Sequence, residues 1–234
     1  MISICQRIVR PALIAAAGLS ALVGPPAASQ AQNCGEFSEL SLTLERNATD
    51  GDTEVVLFAK GQDEGLRRLR ITGPDGRHIG TLRGAGKRRS IGIREFNLES
   101  AEPPDLGAVL RSFPQGDYRF EGRTVSGACL RGQAPLSHRL APETTLLAPL
   151  EGQVIDVTQL VLVWAEVPDA ERYIIELNNE SNGAEMKFDV FPPMTTLAIG
   201  APLLQRGSEY QFAVGVRTAN GNVTYVETTF FTAP

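Results

Sequence analysis

Few residues in this chain have the types and spacing that enzymes use for acid–base or nucleophilic chemistry. The 234 residues include only two histidines, His78 and His138. A serine hydrolase needs a histidine held beside its nucleophile and oriented by a carboxylate. The Gly-x-Ser-x-Gly motif that presents such a serine does not occur in the sequence. We therefore expect both histidines to be surface residues, and we predict no catalytic residue and no cofactor.

One short acidic cluster has the chemistry of a metal site. Asp50, Asp52 and Glu54 alternate where a strand is predicted to begin, so their carboxylates would converge on one edge. Carboxylate oxygens are calcium ligands. However, Asp-Gly-Asp is also ordinary turn chemistry, and a complete calcium loop with its terminal glutamate is not present. We interpret the cluster as a solvated turn and predict no metal site, with calcium binding as the alternative.

Basic residues are concentrated in the first half of the chain. Residues 34–140 contain 16 basic and 15 acidic side chains, whereas residues 141–234 contain 4 and 12. The candidate anion-binding face consists of Arg67, Arg68, Arg70, Lys87, Arg88 and Arg89. Such a face could meet an anionic polysaccharide or a cell surface. The alternative is a solvated sheet face, or contact between two halves of opposite charge bias. Nucleic-acid binding is not expected, because such domains are usually far more basic.

The first thirty or so residues have the pattern of an export signal. Arg7 and Arg10 precede the apolar run Pro11–Val23, and small residues then lead to Ala31. This order is typical of a secretory signal peptide, with cleavage after Ala31. A membrane anchor needs about 20 apolar residues, which is more than this run supplies. We therefore expect an exported chain, periplasmic or extracellular, without a transmembrane segment in its mature form.

The cysteine pattern agrees with export. Cys5 would leave with the signal peptide, so the mature chain would keep Cys34 and Cys129. Two thiols in an oxidising compartment most simply form one disulfide. We therefore predict a Cys34–Cys129 bond, with two free thiols as the alternative.

Three sets of alternating residues organise the second half of the chain. Leu162 and Trp164 lie two apart, and Tyr173 begins a second alternating run. A third set starts at Leu204 and continues from Tyr210. A period of two is typical of strands with one buried face.

These motifs resemble the fibronectin type III domain over residues 143–234. In that family a Leu-x-Trp pair marks the second strand, a Tyr-x-Ile/Val run marks the third, and a Leu-x-x-Gly-x-x-Tyr turn leads into the sixth. The resemblance implies a β-sandwich whose core contains Leu162, Trp164, Tyr173, Leu204 and Tyr210. It also implies a tyrosine corner, in which the hydroxyl of Tyr210 bonds to a backbone group a few residues upstream.

The first half, residues 33–140, is predicted to be a separate immunoglobulin-like sandwich. Pro74–Gly76 predicts a hairpin turn, and residues 105–112 fit one short helical turn. Tyr118 follows a glycine much as Tyr210 does, which predicts a second tyrosine corner. This half is also similar to an uncharacterised group of exported bacterial proteins that carry a C-terminal fibronectin type III domain. That resemblance implies no activity.

Together these patterns predict an all-β protein with two tandem β-sandwiches after a signal peptide, at residues 1–31, 33–140 and 143–234. The predicted function is that of a non-catalytic binding or spacer protein whose partner is an unknown protein or a cell-surface glycan. One alternative is binding of an anionic polysaccharide through the basic face. Another is service as the accessory module of an extracellular hydrolase.

Overall fold

The computed structural model describes residues 33–83, 93–101 and 105–234, and residues 33–234 form one compact unit. The predicted signal peptide, residues 1–31, lies outside the described residues, and so do Lys87, Arg88 and Arg89. Within the described ranges, none of the helices has the length and hydropathy needed to span a membrane.

The N-terminal sandwich is built from eight of the described strands and one short helix. They are β1 (Gly35–Glu36), β2 (Glu39–Asn47), β3 (Thr53–Lys60), β4 (Leu66–Thr72), β5 (His78–Arg83), β6 (Glu95–Glu99), α1 (Leu106–Ser112), β7 (Gly116–Thr124) and β8 (Cys129–Leu136). Strands β1-β8-β7-β4-β5 form one sheet, and β2-β3-β6 lie in the other. We call the first of these the five-stranded sheet.

Alternation of apolar and polar residues explains the core between these sheets. In β3, Val55, Leu57 and Ala59 are buried, whereas the residues between them are only partly covered. The aromatic rings of Tyr118 and Phe120 on β7 complete the core from the facing sheet. The helical turn predicted at residues 105–112 is confirmed as α1, whose N-terminal N–H from Gly107 is accepted by the Asp105 carboxylate at 2.8 Å.

The C-terminal sandwich contains the remaining eight strands. They are β9 (Leu146–Ala148), β10 (Val154–Ile155), β11 (Val161–Trp164), β12 (Ala170–Asn179), β13 (Ala184–Val190), β14 (Thr196–Ala198), β15 (Glu209–Thr218) and β16 (Val223–Thr232). Strands β14-β11-β9 form one sheet, which faces β13-β12-β15-β16, and the short strand β10 pairs with β16. A separate apolar core that includes Trp164, Tyr173 and Phe230 lies between them.

The two sandwiches share one sheet. Strand β16 pairs in parallel with β2, with Val223 opposite Glu45 and Tyr225 opposite Asn47. The sheet therefore runs without a break through β13-β12-β15-β16-β2-β3-β6. The prediction of an all-β protein with two sandwiches is confirmed, and the structure adds that their sheets are joined edge to edge. We call this parallel pairing and its side-chain contacts the seam.

Candidate functional surfaces

The side chain of Asn222 connects three segments at the seam. It immediately precedes β16 and is fully buried. Its Oδ1 atom accepts the backbone N–H of Leu44 on β2 at 2.9 Å. Its Nδ2 atom donates to the carbonyl oxygens of Ser137 and Arg139 at 2.9 and 2.8 Å. One amide thus bonds to the N-terminal sandwich and to the connector that follows it, all from within the C-terminal sandwich.

Further contacts hold the same edge. The hydroxyl of Thr224 donates to the carbonyl of Ala141 at 2.8 Å, and the N–H of Ala48 donates to the carbonyl of Tyr225 at 2.8 Å. Gly221 in the β15–β16 turn has a φ of +86°, and a β-carbon there would lie 2.9 Å from Thr43. Glycine is required here both by the backbone conformation and by the close approach of β2.

The outer side of the shared sheet carries an acidic cleft that crosses the seam. Its volume is about 210 Å³, and its lining includes Glu45, Glu54, Glu176, Gln211, Tyr225 and Glu227. The register explains how these residues meet, because Glu45 lies opposite both Glu54 on β3 and Val223 on β16. The Tyr225 ring lies over Gly215, where a β-carbon would come within 2.6 Å of it.

Charge and burial affect two groups in this cleft. Burial raises the pKa of the Glu45 carboxyl above its usual value of 4.5. The negative charges of Glu176 and Glu99 raise it further, whereas Lys187 opposes the increase. The pKa of the Tyr225 hydroxyl is also raised, first by burial and then by the nearby carboxylates. Protonated forms of both groups are therefore favoured in the folded state.

The outer side of the five-stranded sheet has the opposite charge. Its positive residues, which we call the arginine face, are Arg68, Arg70, Arg83, Arg119, Arg123 and Arg131, and all are exposed. The register places Arg83, Arg68 and Arg123 directly opposite one another on β5, β4 and β7. Glu121 lies between Arg70 and Arg131 in the next row. Strand spacing makes the row of three arginines about 10 Å wide at the backbone.

Among the residues that the structure describes, most of these arginines lack a carboxylate partner. Within the part of the chain that the structure describes, no ion pair involves Arg68, Arg70, Arg83, Arg119 or Arg131. Outside this face, five of the nine described arginines have a carboxylate partner. The paired ones are Arg77 with Asp75, Arg94 with Asp63, Arg111 with Asp105, Arg172 with Asp189 and Arg217 with Glu171. The arginine face is therefore distinguished by available charge as well as by its arginine content.

The candidate basic residues of the sequence divide between this face and undescribed parts of the chain. Arg68 and Arg70 lie in the centre of the face on β4. Arg67 is exposed where the register between β4 and β7 shifts. Sequence reasoning missed Arg119, Arg123 and Arg131, which join the face through strand pairing. The alternation of charged residues along β7 is visible in the sequence and indicates an exposed charged face. The pairing of β7 with β4, which brings these residues next to Arg68 and Arg70, cannot be read from the sequence.

The histidines and acidic residues considered for catalysis or metal binding lie in separate places. His78 is exposed, with its Nε2 atom 3.2 Å from the Thr81 hydroxyl. His138 is partly buried, with its Nε2 atom 2.8 Å from the carbonyl oxygen of Phe113. The Asp50 carboxylate accepts hydrogen bonds from Asn47 Nδ2 and the Asp52 N–H, both at 3.1 Å. In the described ranges, acidic, histidine and cysteine side chains form no group of three that could hold a metal ion.

The predicted disulfide is present. Cys34 and Cys129 are bonded, with their Cα atoms 4.8 Å apart and 95 positions apart in sequence. The bond joins the residue before β1 to the first residue of β8, which pairs with β1. Prediction from the cysteine pattern is confirmed here, and the pairing ties both ends of the N-terminal sandwich together.

The aromatic core of the C-terminal sandwich decides its fold. Leu162 and Trp164 lie on β11, Tyr173 on β12 and Tyr210 on β15, and all four are almost completely buried. Leaving aside the two-residue strand β10, these are the second, third and sixth strands of this sandwich. The Tyr210 hydroxyl accepts the N–H of Gln205, five residues upstream, at 2.8 Å.

The C-terminal sandwich has the fibronectin type III fold. Leu204 is partly buried against the core of this fibronectin type III sandwich. The N-terminal sandwich is immunoglobulin-like and repeats the tyrosine corner, because the Tyr118 hydroxyl donates to the carbonyl of Pro114 at 3.0 Å. Burial raises the pKa of Tyr118 to about 12, so this hydroxyl keeps its proton.

Comparisons with known proteins give distant structural likenesses. No protein-family model and no curated protein matches the chain. A structure of the FN1–FN3 domains of chicken CNTN1 is 10% identical, with 86% of this chain and 66% of that chain covered and a TM-score of 0.34. A two-domain fibronectin type III segment of chicken tenascin is 10% identical, with 82% and 97% covered and a TM-score of 0.30. A bacterial ice-binding adhesin is 13% identical, with 86% and 67% covered and a TM-score of 0.27.

Proposed function

We propose that this chain is an exported, non-catalytic binding or spacer protein with domains at residues 33–140 and 143–234. The observation that carries the proposal is the seam. Parallel pairing of β2 with β16, together with the three hydrogen bonds of Asn222, holds the two sandwiches as one body. In a body of this kind the outer faces of the two sandwiches keep fixed positions relative to one another, which suits both a binding role and a spacer role.

Two further observations support this proposal. The Cys34–Cys129 bond fits a compartment outside the cytoplasm, because disulfides persist under oxidising conditions. The buried aromatic residues of the chain lie in two packed cores. A fold of this kind serves many roles, so the proposal rests on the seam, which fixes the outer surfaces relative to one another, and not on the fold alone.

Binding can be tested with the purified, fluorescently labelled chain and washed cell envelopes of the producing organism. We expect saturable retention that excess unlabelled chain competes away. A chain lacking the Cys34–Cys129 bond, unfolded in mild urea, serves as the control for nonspecific adhesion. The proposal fails if folded and unfolded chains are retained equally. It also fails if a hydrolase panel detects turnover that one carboxylate or serine substitution abolishes.

The spacer role requires a fixed distance between the sandwiches. Spin labels at Gln133→Cys on β8 and Glu185→Cys on β13 would place one exposed probe on each sandwich. Pulsed dipolar spectroscopy should give one narrow distance distribution. A broad distribution in the oxidised, folded protein would show that the sandwiches move independently and would contradict the spacer role.

A further inference from the structure

We propose that the arginine face binds a linear anionic polysaccharide. This inference deepens the proposed binding function by assigning it a surface and a ligand class. It rests on the outer side of the five-stranded sheet and does not depend on the seam.

The arrangement of arginines is unfavourable for the sheet by itself. Arg83 and Arg68 are direct neighbours on β5 and β4, and like charges in directly opposed positions destabilise a sheet. Five other arginines of this chain form ion pairs with carboxylates, which neutralise their charge. A bound anion would relieve the repulsion between Arg83 and Arg68.

The geometry suits a polymer with repeated charges. A guanidinium group can donate two parallel hydrogen bonds to a carboxylate or a similar oxyanion. Arg68 and Arg70 lie two residues apart on β4, and Arg119 adds a further charge on the neighbouring strand β7. These residues supply several donors on one open surface, where a long chain can make contacts that a small anion cannot.

The remaining charges orient such a ligand. On the same face, Glu121 lies in the centre, and Glu36 and Asp117 lie at the margins, so arginines outnumber carboxylates by six to three. The outer side of the shared sheet carries the acidic cleft instead. A polyanion should therefore be attracted to one side of the N-terminal sandwich and repelled by the other.

A polysaccharide fits this face better than a nucleic acid does. Proteins that bind single strands combine positive charge with aromatic rings on which bases stack. The outward residues of β4, β7 and β8 in the register of this sheet include no phenylalanine, tyrosine or tryptophan. Charge-assisted hydrogen bonds are the chemistry that the surface offers.

The test compares two triple variants of equal net charge. Arg68→Gln, Arg70→Gln and Arg119→Gln together remove three charges from the arginine face. The matched control carries Arg94→Gln, Arg111→Gln and Arg172→Gln, which remove three arginines that have carboxylate partners. Circular dichroism and Trp164 fluorescence verify that both variants fold. Immobilised heparin is the probe, measured from 50 to 500 mM NaCl, with neutral dextran and a single-stranded oligonucleotide as comparison ligands.

We expect the wild-type chain to bind heparin at low salt and to lose most of its affinity as salt rises. The face variant should bind at least tenfold more weakly, and its log–log salt slope should fall by roughly two to three. The control variant should stay within about twofold of wild type. Equal weakening in both variants would overturn the proposal, because net charge alone would then explain binding. Equal or tighter binding of the oligonucleotide, or of dextran, would overturn the choice of ligand.

The same samples separate this inference from the broader proposal. If the chain is retained on cell envelopes but does not bind heparin, the polysaccharide inference fails and the binding function stands. If it does neither, both fail.

Discussion

The substitution Asn222→Ala is the most informative perturbation of the seam. It removes the acceptor for the Leu44 N–H and the donor to the Ser137 and Arg139 carbonyls. Leu44 is fully buried, so water cannot easily replace the lost acceptor. The carbonyl of Arg139 keeps a bond from Asn220 at 2.9 Å and is less affected.

The expected cost follows from these contacts. Leaving a buried amide without an acceptor costs about 1–3 kcal/mol, and loss of the bond to Ser137 costs about 1 kcal/mol more. We therefore expect the free energy of unfolding to fall by about 2–4 kcal/mol. The structural consequence is a weakened attachment of β2 to β16.

Urea unfolding of the oxidised chain measures this change. Trp164 fluorescence reports the C-terminal sandwich, which contains the chain's single tryptophan, and far-ultraviolet circular dichroism reports both sandwiches. In the wild-type chain the two transitions should coincide. In Asn222→Ala they should move to lower urea and separate. The matched control is Asn182→Ala, an exposed asparagine of the same sandwich that accepts the N–H of Ala184. A cost for Asn222→Ala no greater than for this control would refute the role assigned to the seam.

Three further perturbations test other parts of the structure. Tyr210→Phe removes the hydroxyl that accepts the N–H of Gln205, so we expect a loss of about 1–3 kcal/mol in urea unfolding. Replacing Cys34 and Cys129 together by serine should reduce the unfolding free energy by about 4–5 kcal/mol, because the bond closes a loop of about 95 residues; an unchanged urea midpoint would contradict this. The pKa of Glu45 is raised in the folded state. The stability that this carboxyl contributes to the fold is therefore complete below its usual pKa of 4.5 and is lost as pH rises through the folded-state pKa. Glu45→Gln should have the same free energy of unfolding as wild type in acid and a higher one at pH 7. A wild-type free energy of unfolding that does not change between acid and pH 7 would count against a raised pKa of Glu45.

The fold was largely predictable because local patterns determine it. The alternation at Leu162, Trp164 and Tyr173 identifies strands with one buried face. The spacing from Leu204 to Tyr210 identifies the tyrosine corner. The helix at residues 105–112 was predicted as well, although its seven residues provide little periodicity. These features depend on residues that are near one another in the sequence.

The joining of the sheets could not be predicted in this way. Strands β2 and β16 are separated by most of the chain, and neither carries a signal for parallel pairing with the other. Asn222 appears in the sequence as part of a common Asn-x-Thr triplet, which is a glycosylation acceptor only in a eukaryotic secretory route. Its role follows from burial and from partners in two distant segments, and both are properties of the folded chain.

The candidate surface was only partly predictable for the same reason. Arg67, Arg68 and Arg70 are clustered in the sequence, and the exposure of Arg68 and Arg70 follows from the strand pattern, whereas Arg67 is exposed at the register shift. Arg119 and Arg131 become their neighbours only because β7 lies between β4 and β8. Pairing between distant strands therefore determines which charges act together.

Hydrogen exchange at the Leu44 amide tests the central claim most directly, because its N–H bonds across the seam to Asn222. If the two sandwiches form one body, this amide exchanges only when the whole unit unfolds. Its exchange free energy should then equal the global free energy of unfolding and fall with urea at the same slope. Rapid exchange that is insensitive to urea, while amides in both cores remain protected, would show that the seam opens independently and would contradict the account.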